Sequence, residues 1–254
     1  MLLFNRFLPA LSAIFIIITF ELWSVQPQLI FYIAGTLGVI VVLTVWSLSW
    51  SSVISKKFWS ILATPLFFVS SSYLFFMFID NVAVSQIFIL LIALVYFLIL
   101  RNIFSFLYQT KNYQPYALEN IYSYVNMGSL FMFYASFYGM FLYLSWDIWK
   151  SSILVFIFST FLFTRTLWSF KIEWRKSKVF ILIMGVLMIE IFYAISFLPT
   201  SFLFNALICI LVYYLLMNIF KDFLRDMITG NNLKRYFLIT ITIAVIGFIT
   251  TQWS

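Results

Sequence analysis

The chain has 254 residues, of which 65% are hydrophobic and only 9% charged, whereas roughly a quarter of an ordinary soluble domain is charged. So little polar surface cannot coat a globule in water, and the solvent expected around this fold is lipid. The net charge of +7 sits in short clusters between apolar runs and forms no continuous basic stripe, so no nucleic-acid partner is expected.

Hydropathy predicts nine runs of bilayer-crossing length, at about 7–24, 28–49, 58–79, 83–107, 120–143, 150–169, 179–198, 201–220 and 236–252. Each is about twice as long as a transmembrane β-strand and apolar on every side, which favours helices over a barrel. No Pro/Gly/Ser-rich linker or low-complexity tract interrupts the series. The expected fold class is therefore all-α, a polytopic transmembrane helical bundle of about nine helices forming one integral membrane domain over 1–254 with short loops.

The first run follows one positive charge and superficially resembles a secretory signal. Glu21, Leu22 and Trp23 stand where a small-x-small cleavage site belongs, so it is read as a retained helix. The third run carries Pro65, which removes a hydrogen bond to the carbonyl of Ile61 and predicts a kink. Ser70, Ser71 and Ser72 could re-satisfy backbone groups released there, and a broken-helix binding site or an ordinary kink would both look like this. Arg101, near the inner end of the fourth run, reads as an interfacial anchor.

The segment 112–141 is the most polar and aromatic of the chain. Glu119, Ser123, Asn126 and Tyr134 fall within a narrow helical arc, giving the fifth helix a polar stripe. Lipid is a poor neighbour for that stripe, so it should face protein or a cavity. Ala135 and Gly139 form a small-xxx-small pair suited to close packing. In the sixth run Arg165 lies between Thr164 and Thr166, about one and a half turns from the inner end. Its long side chain can reach the surface, or it can pair with Glu190 or Glu119.

Glu190 is the one carboxylate within the seventh run, roughly 16 Å from the inner edge at 1.5 Å per residue. Ionised at that depth it costs several kcal/mol on insertion scales, roughly 2.5–3.5, so it should be neutral, paired or beside water. Tyr193 and Asn205 are its expected hydrogen-bond partners. Cys209, in the eighth run, reads as a small buried hydrophobe. At the end of that run "KDFLRD" places Asp222 and Asp226 four apart, as a divalent cation would require, but Lys221 and Arg225 at the same spacing make i, i+4 ion pairs the expectation.

The chain contains no histidine and one cysteine, which removes histidine-ligated haem, thiolate clusters and Ser-His or Cys-His nucleophiles. No Gly-rich phosphate loop or dinucleotide fingerprint occurs. No enzymatic activity, cofactor or metal is expected.

Orientation follows from the basic residues, which are retained on the cytoplasmic side. With Arg6 inside and the runs alternating, every lysine and arginine except Lys150 falls on the same side. This favours an odd number of spans with the N-terminus inside and the C-terminus outside. A close pair such as 179–198 and 201–220 that dips and returns would leave the pattern unchanged. The bilayer of a bacterial inner or plasma membrane is the expected environment, with other membrane proteins as possible partners. Two functions fit: a carrier of a small apolar molecule, lipid, proton or cation, with Glu190, Glu119, Asn126, Arg165 and Asn205 along its path; or a non-catalytic subunit or scaffold whose polar positions bind partner helices.

Overall fold

The computed structural model describes residues 2–49, 55–108, 117–170 and 172–251. Among these residues there are nine α-helices and no strand: α1 (Leu2–Val25), α2 (Ile30–Ser49), α3 (Lys56–Phe76), α4 (Val82–Tyr108), α5 (Ala117–Tyr143), α6 (Ile148–Ser169), α7 (Trp174–Ile195), α8 (Phe202–Leu224) and α9 (Gly230–Thr250). A short 3-10 turn, Pro27–Leu29, leads into α2. All nine helices are long and apolar enough to cross a membrane, so the chain is a multispanning membrane protein. By length α7 and α8, with 22 and 23 residues, can each cross fully at 1.5 Å per residue.

Several helices extend past their hydropathy windows at charged ends, α7, α8 and α9 by four to six residues. α7 begins at Trp174 instead of 179, α8 continues to Leu224, and α9 begins at Gly230 instead of 236. Hydropathy registers where lipid lies, whereas a helix starts where its first amides find acceptors. At α9 the Thr229 hydroxyl accepts the Asn232 amide, so the helix starts there and carries Lys234 and Arg235 within it. Ser55 and Ser201 cap α3 and α8 in the same way.

The chain divides into two compact units, Met1–Ser129 and Leu130–Ser254, with the division inside α5. In the first unit α1 lies against α2 and α4, α2 against α3, and α3 against α4, which closes a ring of four helices. At the Val25 end, Trp23 stacks on Tyr73 at 4.6 Å and packs against Phe76 at 4.9 Å, while the Tyr73 hydroxyl donates to the Ile30 carbonyl at 2.7 Å. At the opposite end Asn5 Nδ2 donates to the Tyr108 hydroxyl, which donates to the Leu48 carbonyl, tying α1, α4 and α2 together.

In the second unit α6, α7, α8 and α9 stand in a row, each packed against the next. The C-terminal half of α5 lies against that row through aromatic side chains. Phe133 stacks on Phe158 of α6 at 4.3 Å. The Tyr134 hydroxyl pairs with Ser159 of α6, and the Tyr138 hydroxyl donates to the Phe192 carbonyl of α7 and meets Cys209 Sγ of α8. Cys209 is fully buried, as expected. No residue of α9 is buried. It is held to α8 by a hydrogen bond from the Tyr236 hydroxyl to Asp222 Oδ2 at 2.8 Å.

Candidate functional site

Along α7 two faces separate cleanly. Met184, Gly185, Met188, Phe192 and Ile195 are buried, at the three- and four-residue spacing of one helix face. The opposite stripe, Val179, Leu182, Val186 and Tyr193, is exposed. Glu190 lies on this exposed stripe. It makes no hydrogen bond or ion pair with another described residue. It sits roughly 8 Å short of the Ile195 end of the helix, with apolar residues on both sides along the stripe. A carboxyl group is thus exposed within the apolar stretch of α7.

The partners expected for Glu190 are engaged elsewhere. Asn205 Oδ1 accepts from the Thr200 hydroxyl at 2.5 Å. That bond fastens the turn between α7 and α8, because Thr200 precedes the α8 cap residue Ser201 and Asn205 follows it. Tyr193 shares the exposed stripe but does not bond to Glu190. Arg165 is half-buried on α6, and Glu190 forms no ion pair with it. Of the remaining candidates, Glu119 lies in the first turn of α5, where its side chain is outside the described residues. Asn126 is buried at 7% exposure with Oδ1 lacking a hydrogen-bond partner.

Of the predicted polar stripe of α5, Tyr134 bonds to Ser159 of α6. A further tie comes from Tyr122, absent from that stripe. Its hydroxyl donates to the Ile61 carbonyl at 3.1 Å, which is the acceptor left without its amide by Pro65. The serines expected to repair that site do not do so: Ser71 and Ser72 both donate to the Phe68 carbonyl of their own helix, and Ser70 is exposed. A proline in mid-helix leaves an acceptor that needs a donor, so Pro65 is the signal in the sequence that a group such as the Tyr122 hydroxyl was required.

The "KDFLRD" segment also differs from its expected ion pairs. Lys221 Nζ donates to Asn218 Oδ1 at 2.8 Å and lies over the Phe170 ring, as does Arg225. Asp222 is buried at 7% exposure and receives the Tyr236 hydroxyl. Asp226 adopts φ 54° while the Met227 amide reaches back to the Asp222 carbonyl, a helix-terminating turn normally built on glycine. The aspartates therefore end α8 and attach α9 to it. Lys150, alone on its expected side, pairs with Asp147 at 2.6 Å and lies over the Trp146 and Trp149 rings.

No family model matches the chain, and neither a curated protein nor a solved structure resembles it significantly.

Proposed function

We propose that this multispanning membrane protein is a non-catalytic, membrane-embedded subunit that holds a partner's transmembrane helix against α7, with Glu190 as the polar fastener. The observation that carries the reading is the outward carboxyl group with no partner among the described residues. Facing hydrocarbon, an ionised carboxylate is disfavoured by roughly 2.5–3.5 kcal/mol on insertion scales. A helix laid along Val179, Val186 and Tyr193 would cover it and supply a donor, and such interhelical bonds contribute about 0.6–2 kcal/mol. The complementary helix carries a lysine, arginine or other hydrogen-bond donor at that depth.

A carrier would need Glu190 to line a route through the protein, and its outward placement speaks against that role. In the subunit reading the protein sits in an inner or plasma membrane with its basic connections in the cytosol, and contributes no catalytic group.

A photo-crosslinking amino acid at Val186 or Tyr193, compared with one at Leu90 on the exposed face of α4, tests this in native membranes. The expected adduct from α7 is a discrete protein whose cross-linked peptide is a transmembrane helix bearing a donor, and Glu190→Leu should abolish it without lowering the thermal stability of the purified chain. Adducts to lipid alone, or to a second copy of this chain, overturn the proposal. So does loss of a proton or solute flux in Glu190→Gln with cross-linking unchanged.

A further inference from the structure

At the Arg6 end of the first unit a cavity of about 550 Å³ opens between α1 and α4. Its polar lining is Arg6 from α1 and Arg101, Asn102 and Ser105 from α4, and its apolar lining includes Phe97 and Phe104. Both arginines are exposed, and neither makes an ion pair or hydrogen bond with another described residue. Among the described residues no carboxylate lines the cavity. Asn102 Nδ2 donates to the Leu98 carbonyl at 2.8 Å, which holds that side chain in place. Behind the cavity the Asn5–Tyr108–Leu48 chain of hydrogen bonds joins the same helix ends, so the walls that carry the arginines are fixed.

From this arrangement we infer that the cavity binds the phosphate headgroup of an anionic phospholipid. Two guanidinium groups without a counter-charge call for an anion, and guanidinium forks match phosphate oxygens in pairs. The volume exceeds what a bare phosphate fills and lies within the range of ligand sites. Arg101 ends the unbroken apolar run that reaches Leu100, Asn102 and Ser105 follow it among the apolar residues of the last two turns of α4, and Phe97 precedes it by one turn, so cationic, polar and apolar side chains share this end of the helix. An amphipathic anion satisfies both parts of that lining: phosphate to the arginines, acyl chains along the exposed apolar surface beside Phe97. Basic pockets between transmembrane helices on the cytoplasmic side take anionic headgroups for this reason. The inference is independent of the partner helix proposed at α7.

Native mass spectrometry of the full chain in detergent tests it, using phosphatidylglycerol and phosphatidylcholine of identical acyl chains. Retention of phosphatidylglycerol over phosphatidylcholine is expected, with affinity falling about fivefold for each arginine removed in Arg6→Gln, Arg101→Gln and their combination. Arg175→Gln with Lys178→Gln, which removes the same charge elsewhere, should leave retention unchanged. Equal retention of the two lipids by the unaltered chain overturns the inference without recourse to any variant. So does an equal loss in the control pair, which would indicate diffuse attraction. Displacement of the lipid by millimolar inorganic phosphate would mark a site for a soluble anion and overturn it as well.

Discussion

Tyr122 shows how one side chain can repair a defect written elsewhere in the chain. Pro65 has no amide to give the Ile61 carbonyl, and in a dry interior an unsatisfied carbonyl costs about 1–3 kcal/mol. The Tyr122 hydroxyl meets that acceptor. Tyr122→Phe should therefore lower stability by about 1–2 kcal/mol, whereas in a Pro65→Ala background, where the helix supplies its own amide, the same change should cost much less. Melting curves of the four proteins in detergent give the coupling directly, and an equal penalty in both backgrounds would mean that Tyr122 acts by packing alone. The proline and its orphaned acceptor were legible in the sequence. The identity of the donor was not, because Ser70, Ser71 and Ser72 are nearer in the chain and only packing brings α5 against α3. Glu190 divides in the same way. Its position in an apolar run is a property of the sequence, but whether it faces inward depends on which side of α7 meets α6 and α8.

Helix pairing in the second unit rests on close approach as much as on hydrogen bonds. A Cβ added at Gly185 would lie 2.5 Å from both the Phe156 ring and the Thr160 methyl group of α6, a separation at which those side chains or the helices that carry them must shift. At Gly38 of α2 an added Cβ meets nothing within 4 Å. Gly185→Ala should thus cost about 1–3 kcal/mol through overpacking. Gly38→Ala should leave stability unchanged or raise it, by up to about 1 kcal/mol, because alanine is the better helix former. Thermal melts of the two variants measure the contrast, and equal effects would deny the close α6–α7 contact. Gly185 carries no sign of this in the sequence, where it is one glycine among leucine, isoleucine and methionine. Its role comes from Phe156 and Thr160, far away in the chain.

At the scale of the whole chain, nine crossings and the distribution of lysine and arginine constrain each other, since omitting one crossing would reverse every segment that follows. In a Cys209→Ser background, single cysteines replacing Lys56 and Lys178 should react with an impermeant reagent from one side of the membrane, and one replacing Asp80 from the other. Reaction of the Lys56 and Lys178 positions from opposite sides would refute the orientation. Lys150, the expected exception to the charge rule, pairs with Asp147 and lies over the Trp146 and Trp149 rings.

By itself the sequence determined the solvent, the class of fold and the number of helices, because those follow from how much apolar length each stretch carries, and apolar length is a local property. The tertiary structure alone decided what the polar residues do. Asn205 bonds the turn before α8, Asp222 holds α9, and Glu190 faces outward while Arg6 and Arg101 share a cavity. In a chain that is apolar on every side, hydrophobic pattern cannot say which face of a helix turns inward. Shape decides that: where a glycine lets a ring approach, and where a tyrosine reaches an unpaired carbonyl.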